Sequence, residues 1–278
     1  MPLWSQLDFA RRHEFRWSVG ETPLSELTFV AAAAVAYHVL VWTLHVSLSA
    51  RVAWVKRAAA VHNLFLAAIS LVTVVGLAYD SYAFLGTHSA REAFCAVAEE
   101  ELQSALWYWV YIAYLTKFYE LVDTVILVLL RAPLTFLHVY HHTIVPFMVW
   151  SMLSSGVAMA SWGVMANSTI HVFMYTHYFL QSAARSPKWF KVFVTQAQIV
   201  QFVWSFIGSS PYLYFLFANR TRDGPWWELF TTDEPWFCLG KSAFWFNTAC
   251  NMSFLLLFVR FYVNTYKAKQ QARKKKQT

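Results

Sequence analysis

The sequence predicts an all-α membrane protein, with seven transmembrane helices that enclose a cavity open to the cytosol. The first observation is composition: 58% of the 278 residues are hydrophobic and 13% are charged, whereas soluble domains have about 25% charged residues. The second is that apolar runs of about 20 residues, long enough to cross a bilayer, recur along the chain. The third is that polar residues within these runs cluster at one predicted depth. Helices are expected because they satisfy their own backbone hydrogen bonds in lipid.

The apolar runs leave little room for a soluble domain, so residues 1–278 are predicted to form a single membrane-embedded domain. The predicted spans are 27–49, 60–79, 104–130, 138–154, 157–181, 191–218 and 241–264, followed by a basic tail at 265–278. The residues before the first span combine arginines with acids and lack the pattern of a cleaved signal peptide. We therefore expect no cleaved leader.

The basic residues between the predicted spans indicate an orientation. Of the 22 basic residues, 14 fall on one side of the membrane, seven fall on the other, and Lys117 lies inside a span. The positive-inside rule makes the richer side cytosolic, so the N-terminus is predicted to be lumenal and the C-terminus cytosolic. With this orientation, the net charge of +7 indicates a basic cytosolic face that can bind anionic lipid. No other feature favours nucleic-acid binding.

The last four residues are Lys275-Lys276-Gln277-Thr278. Their lysine positions resemble a dilysine retrieval signal of endoplasmic-reticulum membrane proteins, which has to face the cytosol. A plain polybasic tail near the membrane is the alternative. With the predicted orientation, the tail favours an endoplasmic-reticulum location.

Two of the three cysteines, Cys95 and Cys238, fall in predicted lumenal loops. The lumen is an oxidising compartment, so a Cys95–Cys238 disulfide is one interpretation and two free thiols are the other. Cys250 lies within the last span and is interpreted as a packing residue.

Ionisable residues cluster in the third span, at Lys117, Glu120 and Asp123. Each is a functional candidate, because a charge inside a bilayer costs several kcal/mol unless it is paired or hydrated. Lys117 and Glu120 can pair along the helix, and a purely structural salt bridge is the alternative role. Asp123 has no partner on its own helix and is expected to reach a histidine on a neighbouring one.

The next three spans carry matching polar stripes. The fourth begins with His138, His141 and His142, which a helix places on one side. The fifth and sixth contribute Asn167, His171, Tyr175, Tyr178, Gln198 and Gln201. The predicted topology brings all four stripes into the cytosolic half, where they would line a cavity with an apolar extension. The isolated histidines are interpreted as packing or interface residues; they are His13, His38, His45, His62 and His88.

These stripes form four ordered boxes. They are Lys117-x-x-Glu120-x-x-Asp123-Thr124, His138-x-x-His141-His142, His171-x-x-Met174-Tyr175-x-His177-Tyr178 and Thr195-x-x-Gln198-x-x-Gln201. In these boxes the chain resembles the ELO family of very-long-chain fatty acid elongases over nearly its whole length. One departure is His177, where the family usually has tyrosine, and this puts a direct role for that position in doubt.

The resemblance implies a very-long-chain 3-oxoacyl-CoA synthase, an acyltransferase that joins an acyl-CoA to malonyl-CoA and releases CoA and carbon dioxide. It also implies partners in the elongation cycle, namely a ketoreductase, a dehydratase and an enoyl reductase; a homodimer is a further expectation. No bound cofactor and no metal are expected. Acyl length and unsaturation stay open.

Because no cysteine lies in the predicted cytosolic half, we expect imidazole to perform the condensation chemistry. His141 is the predicted nucleophile or base and His171 its partner, while His138 and His142 orient the site. Asp123 or Glu120 would fix a histidine tautomer. The remaining predicted substrate-binding or supporting residues are Lys117, Asn167, Tyr175, Tyr178, Gln198 and Gln201.

Two other classes of protein share parts of this pattern. Membrane di-iron desaturases or hydroxylases also use HxxHH boxes, but this chain has no second box of that form. The second alternative hypothesis is a seven-helix transporter or receptor. Transporters often show internal repeats and broken helices in matching halves, and the sequence has no such repeats.

Overall fold

The computed structural model describes residues 8–96, 104–183, 186–218 and 238–267. These residues form helices, and no β-strand occurs among them. A short 3-10 helix at Phe9–Glu14 precedes ten α-helices. The α-helices are α1 Leu27–Ser47, α2 Val55–Leu85, α3 Ala90–Phe94, α4 Ser104–Tyr119, α5 Val122–Leu129, α6 Phe136–Ser154, α7 Ala160–Ser182, α8 Lys188–Gly208, α9 Ser210–Ala218 and α10 Lys241–Tyr262. Most of the predicted basic tail lies outside the described residues.

Helices occupy all seven ranges predicted as spans. Four helical segments are long and apolar enough to cross a membrane; they are Leu27–Ser47, Val55–Leu85, Lys188–Ala218 and Lys241–Tyr266. The first of these corresponds to α1, the second to α2, the third to α8 with α9, and the fourth to α10 and the π-turn that follows it. The chain is therefore a multi-pass membrane protein.

Two predicted spans are interrupted rather than continuous. The range 104–130 is divided between α4 and α5, and 191–218 is divided between α8 and α9 at Ser209. At the first break the amides of Asp123 and Thr124 donate to carbonyls three residues earlier, Glu120 and Leu121. This i to i+3 pattern is that of a 3-10 turn, which often marks a functional or strained point in a helix. The break separates Glu120 from Asp123.

Helix α4 lies at the centre of the bundle. Nearly all of its side chains from Ala105 to Tyr114 are buried, and they form the main hydrophobic cluster with residues of α2, α6 and α7. Helices α2 and α7 pack against each other more extensively than any other pair of described helices. Because α4, α6 and α7 carry most of the predicted boxes, this packing fixes the relative positions of their polar side chains.

The segment before α1 covers one end of the bundle. Tyr111 and Tyr114 of α4 donate to the carbonyls of Pro23 and Leu24, and Trp150 of α6 donates to the carbonyl of Ser25. Farther toward the N-terminus, Arg12 pairs with the buried Asp80 of α2 at 3.1 Å. Asp80 lies 18 residues after His62, which is about 27 Å along a helix. The Arg12–Asp80 pair is therefore distant from His62.

Cys95 and Cys238 form a disulfide in the structure, with their Cα atoms 4.8 Å apart. The bridge ties the segment after α3 to the start of α10, where Leu239 also donates its amide to the carbonyl of Ala96 at 2.7 Å. Gly240 then begins α10 with a φ of 75°. A Cβ at Gly240 would collide with Val157, so glycine is required there for conformation and for space.

Candidate functional site

A cavity of about 170 Å³ lies between α4, α6, α7, α8 and α10. Polar side chains line it on several helices. They are Lys117, His141, Asn167, Gln201, Ser205, Ser209, Asn247, Thr248 and Asn251. Most of the remaining lining is apolar and includes Met148, Met152 and Val164. The cavity thus has the composition of a ligand site, mainly hydrophobic with a few polar groups that can orient a ligand.

The first buried cluster at this site is built on Glu120. Lys117 donates from Nζ to Glu120 Oε1 at 2.8 Å and to Asn167 Oδ1 at 3.1 Å. His171 Nδ1 lies 3.3 Å from the same Glu120 oxygen. The predicted Lys117–Glu120 pair is therefore present, and it extends to α7 through Asn167 and His171. A buried charge needs such pairing, and this cluster supplies it.

The second cluster is built on Asp123. His62 Nε2 lies 2.7 Å from Asp123 Oδ1, and the Tyr175 hydroxyl donates to Oδ2 at 2.8 Å. His142 Nε2 is 3.9 Å from the same Oδ2. Asp123 does reach histidines on neighbouring helices, but its hydrogen-bonding histidine is on α2 and not in the box of α6.

His138 has a different set of partners. Its Nε2 lies 2.8 Å from Thr124 Oγ1, and that hydroxyl is 2.9 Å from the Tyr37 hydroxyl of α1. The rings of His138 and His142 have centroids 4.3 Å apart. His138 is therefore held from the α1 and α5 side and contacts His142 directly.

His141 is the box histidine that lines the cavity. Its ring packs against Phe254 of α10 at 5.0 Å and against His142 at 5.5 Å between centroids. Its Nδ1 is buried and has no hydrogen-bond partner among the described residues. A buried polar atom without a partner costs about 1–3 kcal/mol, so it calls for an explanation, such as a catalytic role or a ligand.

The remaining predicted residues are placed as follows. Gln201 lines the cavity, whereas the Gln198 amide is directed to Met174 Sδ at 3.5 Å. Tyr178 is 40% exposed, with its ring 6.2 Å from that of Tyr175. His177, the departure from the family pattern, is buried with Nδ1 2.6 Å from Ser186 Oγ.

The interpretation of His62 as a packing or interface residue is wrong, because its imidazole contacts Asp123 inside the bundle at 2.7 Å. The available signal was its position as an ionisable residue within an apolar span, which makes it a functional suspect by default. Sequence reasoning also missed Asn247 and Asn251, which line the cavity from α10. Their i, i+4 spacing on an apolar helix was the signal that could have found them.

Within residues 8–96, 104–183, 186–218 and 238–267, no group of three or more histidine, cysteine and acidic side chains is arranged to hold a metal ion.

Comparisons with known proteins place the chain among related sequences. It is 33% identical over 263 residues to "Fatty acid elongase sre1" of Dictyostelium discoideum, an alignment covering 94% of this chain and 92% of the relative. It is 33% identical to "Putative fatty acid elongase 1" of Schizosaccharomyces pombe, with 91% of this chain and 73% of the relative covered. "Long chain fatty acid elongase 1" of Caenorhabditis elegans is 30% identical, with 73% and 66% covered.

The sequence model of the ELO family, described as the GNS1/SUR4 family, matches residues 22–275. This range contains all four boxes and every helix from α1 to α10. The chain belongs to the ELO (GNS1/SUR4) family.

Proposed function

We propose that this protein catalyses the condensing step of fatty acid elongation, in which an acyl-CoA and malonyl-CoA give 3-ketoacyl-CoA, CoA and carbon dioxide. The observation that carries the proposal is the position of His141. A partly accessible imidazole lines a mainly apolar cavity in a chain that belongs to the ELO family. The acyl chain would occupy the apolar part, and its thioester would lie beside the imidazole.

In the proposed reaction His141 works as a nucleophile or as a base. As a nucleophile, its ring nitrogen attacks the thioester carbonyl, and CoA leaves as a thiol after taking a proton. Malonyl-CoA then loses carbon dioxide, and the electron pair of the broken C–C bond forms an enolate. The enolate carbon attacks the acyl group, the C–N bond to His141 breaks, and the imidazole regains a proton.

The clusters around His141 would support these steps. Lys117 and Asn167 line the cavity and can direct a positive charge and amide hydrogens toward a developing oxyanion. Glu120 balances the Lys117 charge and holds His171. His171 is the proposed partner of His141, while His138 and His142 orient the box.

The proposed topology has seven spans, with the N-terminus in the lumen of the endoplasmic reticulum and the C-terminus in the cytosol. The charge asymmetry between the two sides supports this orientation. The dilysine pattern at Lys275 and Lys276 lies outside the described residues. The product is a 3-ketoacyl-CoA, so the next enzyme in sequence would be a ketoreductase, followed by a dehydratase and an enoyl reductase.

The test uses the purified full-length protein in lipid nanodiscs. It is incubated with malonyl-CoA and a panel of medium-chain to very-long-chain acyl-CoAs, and the products are analysed by mass spectrometry. We expect 3-ketoacyl-CoA lengthened by the two carbons of the malonyl unit, with equimolar carbon dioxide. The absence of extension with every chain would reject the proposal, and finding iron in the active protein together with a desaturated or hydroxylated product would favour the di-iron alternative.

A further inference from the structure

The hydroxyl of Tyr37 on α1 lies outside the four boxes, yet it is connected to the first histidine of the box on α6. It is 2.9 Å from Thr124 Oγ1, and Thr124 Oγ1 is 2.8 Å from His138 Nε2. Tyr37 is 4% exposed and Thr124 is fully buried. A phenol, a hydroxyl and an imidazole therefore form a continuous chain of two hydrogen bonds that links α1, α5 and α6.

His138 differs from the histidines that contact a carboxylate in this region. His62 lies 2.7 Å from Asp123, and His171 lies 3.3 Å from Glu120. The hydrogen bond of His138 goes instead to an uncharged hydroxyl. A hydroxyl supplies no counter-charge for an imidazolium, but it can donate its hydrogen to the bare nitrogen of a neutral ring. The neutral ring is therefore the form that this partner suits.

The positions of the hydrogens in this chain follow from counting donors and acceptors. Thr124 has one hydroxyl hydrogen and two polar neighbours, so it donates to one of them and accepts from the other. If His138 Nε2 carried a hydrogen, it would donate to Thr124, and Thr124 would donate to Tyr37. The phenol hydrogen would then have no acceptor among the described residues, which is costly for a buried donor. In the reverse direction Tyr37 donates to Thr124, Thr124 donates to Nε2, and every hydrogen of the chain is used.

The surroundings of Tyr37 leave it no other acceptor. On one side its ring packs in an apolar cluster with Val41 and Val128. On another side it lines a crevice between α1, α4 and α6 that also contacts His142 and has no room for a water molecule. The phenol hydrogen therefore depends on Thr124, and this fixes the direction of the whole chain.

We propose that Tyr37 is a positioning residue, which holds His138 as the neutral tautomer with its hydrogen on Nδ1 and with Nε2 accepting from Thr124. Its effect on catalysis rests on the proposed function, whereas the tautomer does not. The centroid of the His138 ring lies 4.3 Å from that of His142, which lies 5.5 Å from that of His141. Fixing the first ring thus limits the movement of the ring that lines the cavity.

The tautomer is measured by nitrogen NMR on the full-length protein in nanodiscs, with isotope-labelled histidine. A ring nitrogen that carries a hydrogen differs from a bare one in chemical shift, and the signals of His138 are those lost in His138→Gln. We expect the hydrogen on Nδ1 in the parent protein and a mixture of both tautomers in Tyr37→Phe. A hydrogen on Nε2 in the parent, or an unchanged tautomer in Tyr37→Phe, would overturn the proposal whether or not the protein condenses acyl-CoA.

The effect on the reaction is measured with Tyr37→Phe, which removes the phenol oxygen and keeps the ring. We expect kcat for condensation with malonyl-CoA to fall by up to about tenfold, the equivalent of one hydrogen bond between uncharged groups. KM should change less than about twofold, because the hydroxyl does not contact the substrate. Thr124→Val breaks the same chain, so adding Tyr37→Phe to it should not lower kcat further. Losses that multiply in the double variant would reject the proposal.

Val41→Ala is the matched control for the docking of α1. Val41 lies one turn after Tyr37 in the same apolar cluster and is 8% exposed, but its side chain has no polar atom. Its truncation should lower the melting temperature at least as much as Tyr37→Phe does and leave kcat unchanged. An equal loss of kcat in Val41→Ala would show that the docking of α1 sets the rate, and it would overturn the proposal. A parent protein without condensing activity would reject the proposed function alone, since the NMR measurement still decides the tautomer.

Discussion

Two carboxylates, the buried Asp80 and the half-buried Asp123, lie at opposite ends of α2, and they differ in how their oxygens are occupied. Asp80 is bound on Oδ1 and Oδ2 by the Arg12 guanidinium, at 3.3 and 3.1 Å, and Trp109 donates to Oδ2 at 2.8 Å. Asp123 is instead approached by His62, Tyr175 and His142. The first carboxylate has a permanent cation and a fixed indole donor. The second has two imidazoles and a phenol around it.

The comparison separates two uses of a carboxylate inside the bundle. Guanidinium and indole groups do not exchange protons near neutral pH, so the Asp80 cluster can only bind the N-terminal segment to the bundle. Imidazole and phenol side chains are among the groups that enzymes use for general acid–base chemistry. The Asp123 cluster also adjoins the His141 ring, whose Nδ1 has no partner among the described residues. We therefore expect the first cluster to contribute stability and the second to support the proposed reaction.

The largest effect on activity should come from His141→Ala. Loss of the proposed nucleophile or base should lower kcat for condensation by at least about a hundredfold, the usual range for such a group. The measurement is product formation from malonyl-CoA by mass spectrometry. His45→Ala is the control, because His45 is an exposed histidine in α1. Near-normal turnover in His141→Ala would remove His141 from the chemistry.

The largest effect on stability should come from Asp80→Asn. The substitution keeps the shape of the side chain but leaves the Arg12 guanidinium, which is 13% exposed, without its counter-charge. Breaking such a buried pair costs about 3 kcal/mol, so the melting temperature in nanodiscs should fall clearly, while kcat at a temperature where the variant is folded should stay close to that of the parent.

The matched control for Asp80→Asn is Glu14→Gln. Glu14 pairs with Arg11 in the same N-terminal segment, but both side chains are more than 60% exposed. Exposed ion pairs contribute little to stability, and the melting temperature should not change measurably. A drop in kcat for Asp80→Asn as large as that for His141→Ala would contradict the division between the two clusters.

The sequence predicted the features that depend on residues close together in the chain. The spacing of His138, His141 and His142 predicted three imidazoles on one helical side, and the apolar runs predicted a helix in each of the seven ranges. The Lys117–Glu120 pair was predictable for the same reason, because its members are three residues apart. Such patterns depend only on helical geometry.

The contacts that sequence reasoning missed join residues far apart in the chain. His62 and Asp123 are separated by 61 residues, and Arg12 and Asp80 by 68. No local periodicity encodes either pairing, which depends on how α2 packs against its neighbours. The break between α4 and α5 was missed for another reason: the apolar run continues through it, and hydropathy carries no information about a local 3-10 turn.

Substitution of His62 should lower kcat less than substitution of His141. The experiment tests whether His62, which sequence reasoning missed, acts through Asp123. His62→Leu removes the hydrogen bond to Asp123 Oδ1 and lets the carboxylate turn away from His142. Losing one hydrogen bond to a charged group amounts to about 1.5–3 kcal/mol, and we expect kcat to fall about tenfold with little change in KM.

The conservative variant His62→Gln separates positioning from packing. A glutamine can place an amide N–H near the position of His62 Nε2, so it should restore most of kcat if the hydrogen bond to Asp123 is what matters. If the ring itself matters through its contact with Tyr119, whose centroid lies 5.0 Å away, leucine and glutamine should be equally impaired and equally destabilised. Only the first outcome makes His62 a positioning residue, and it would extend the chemical cluster from the four boxes to α2.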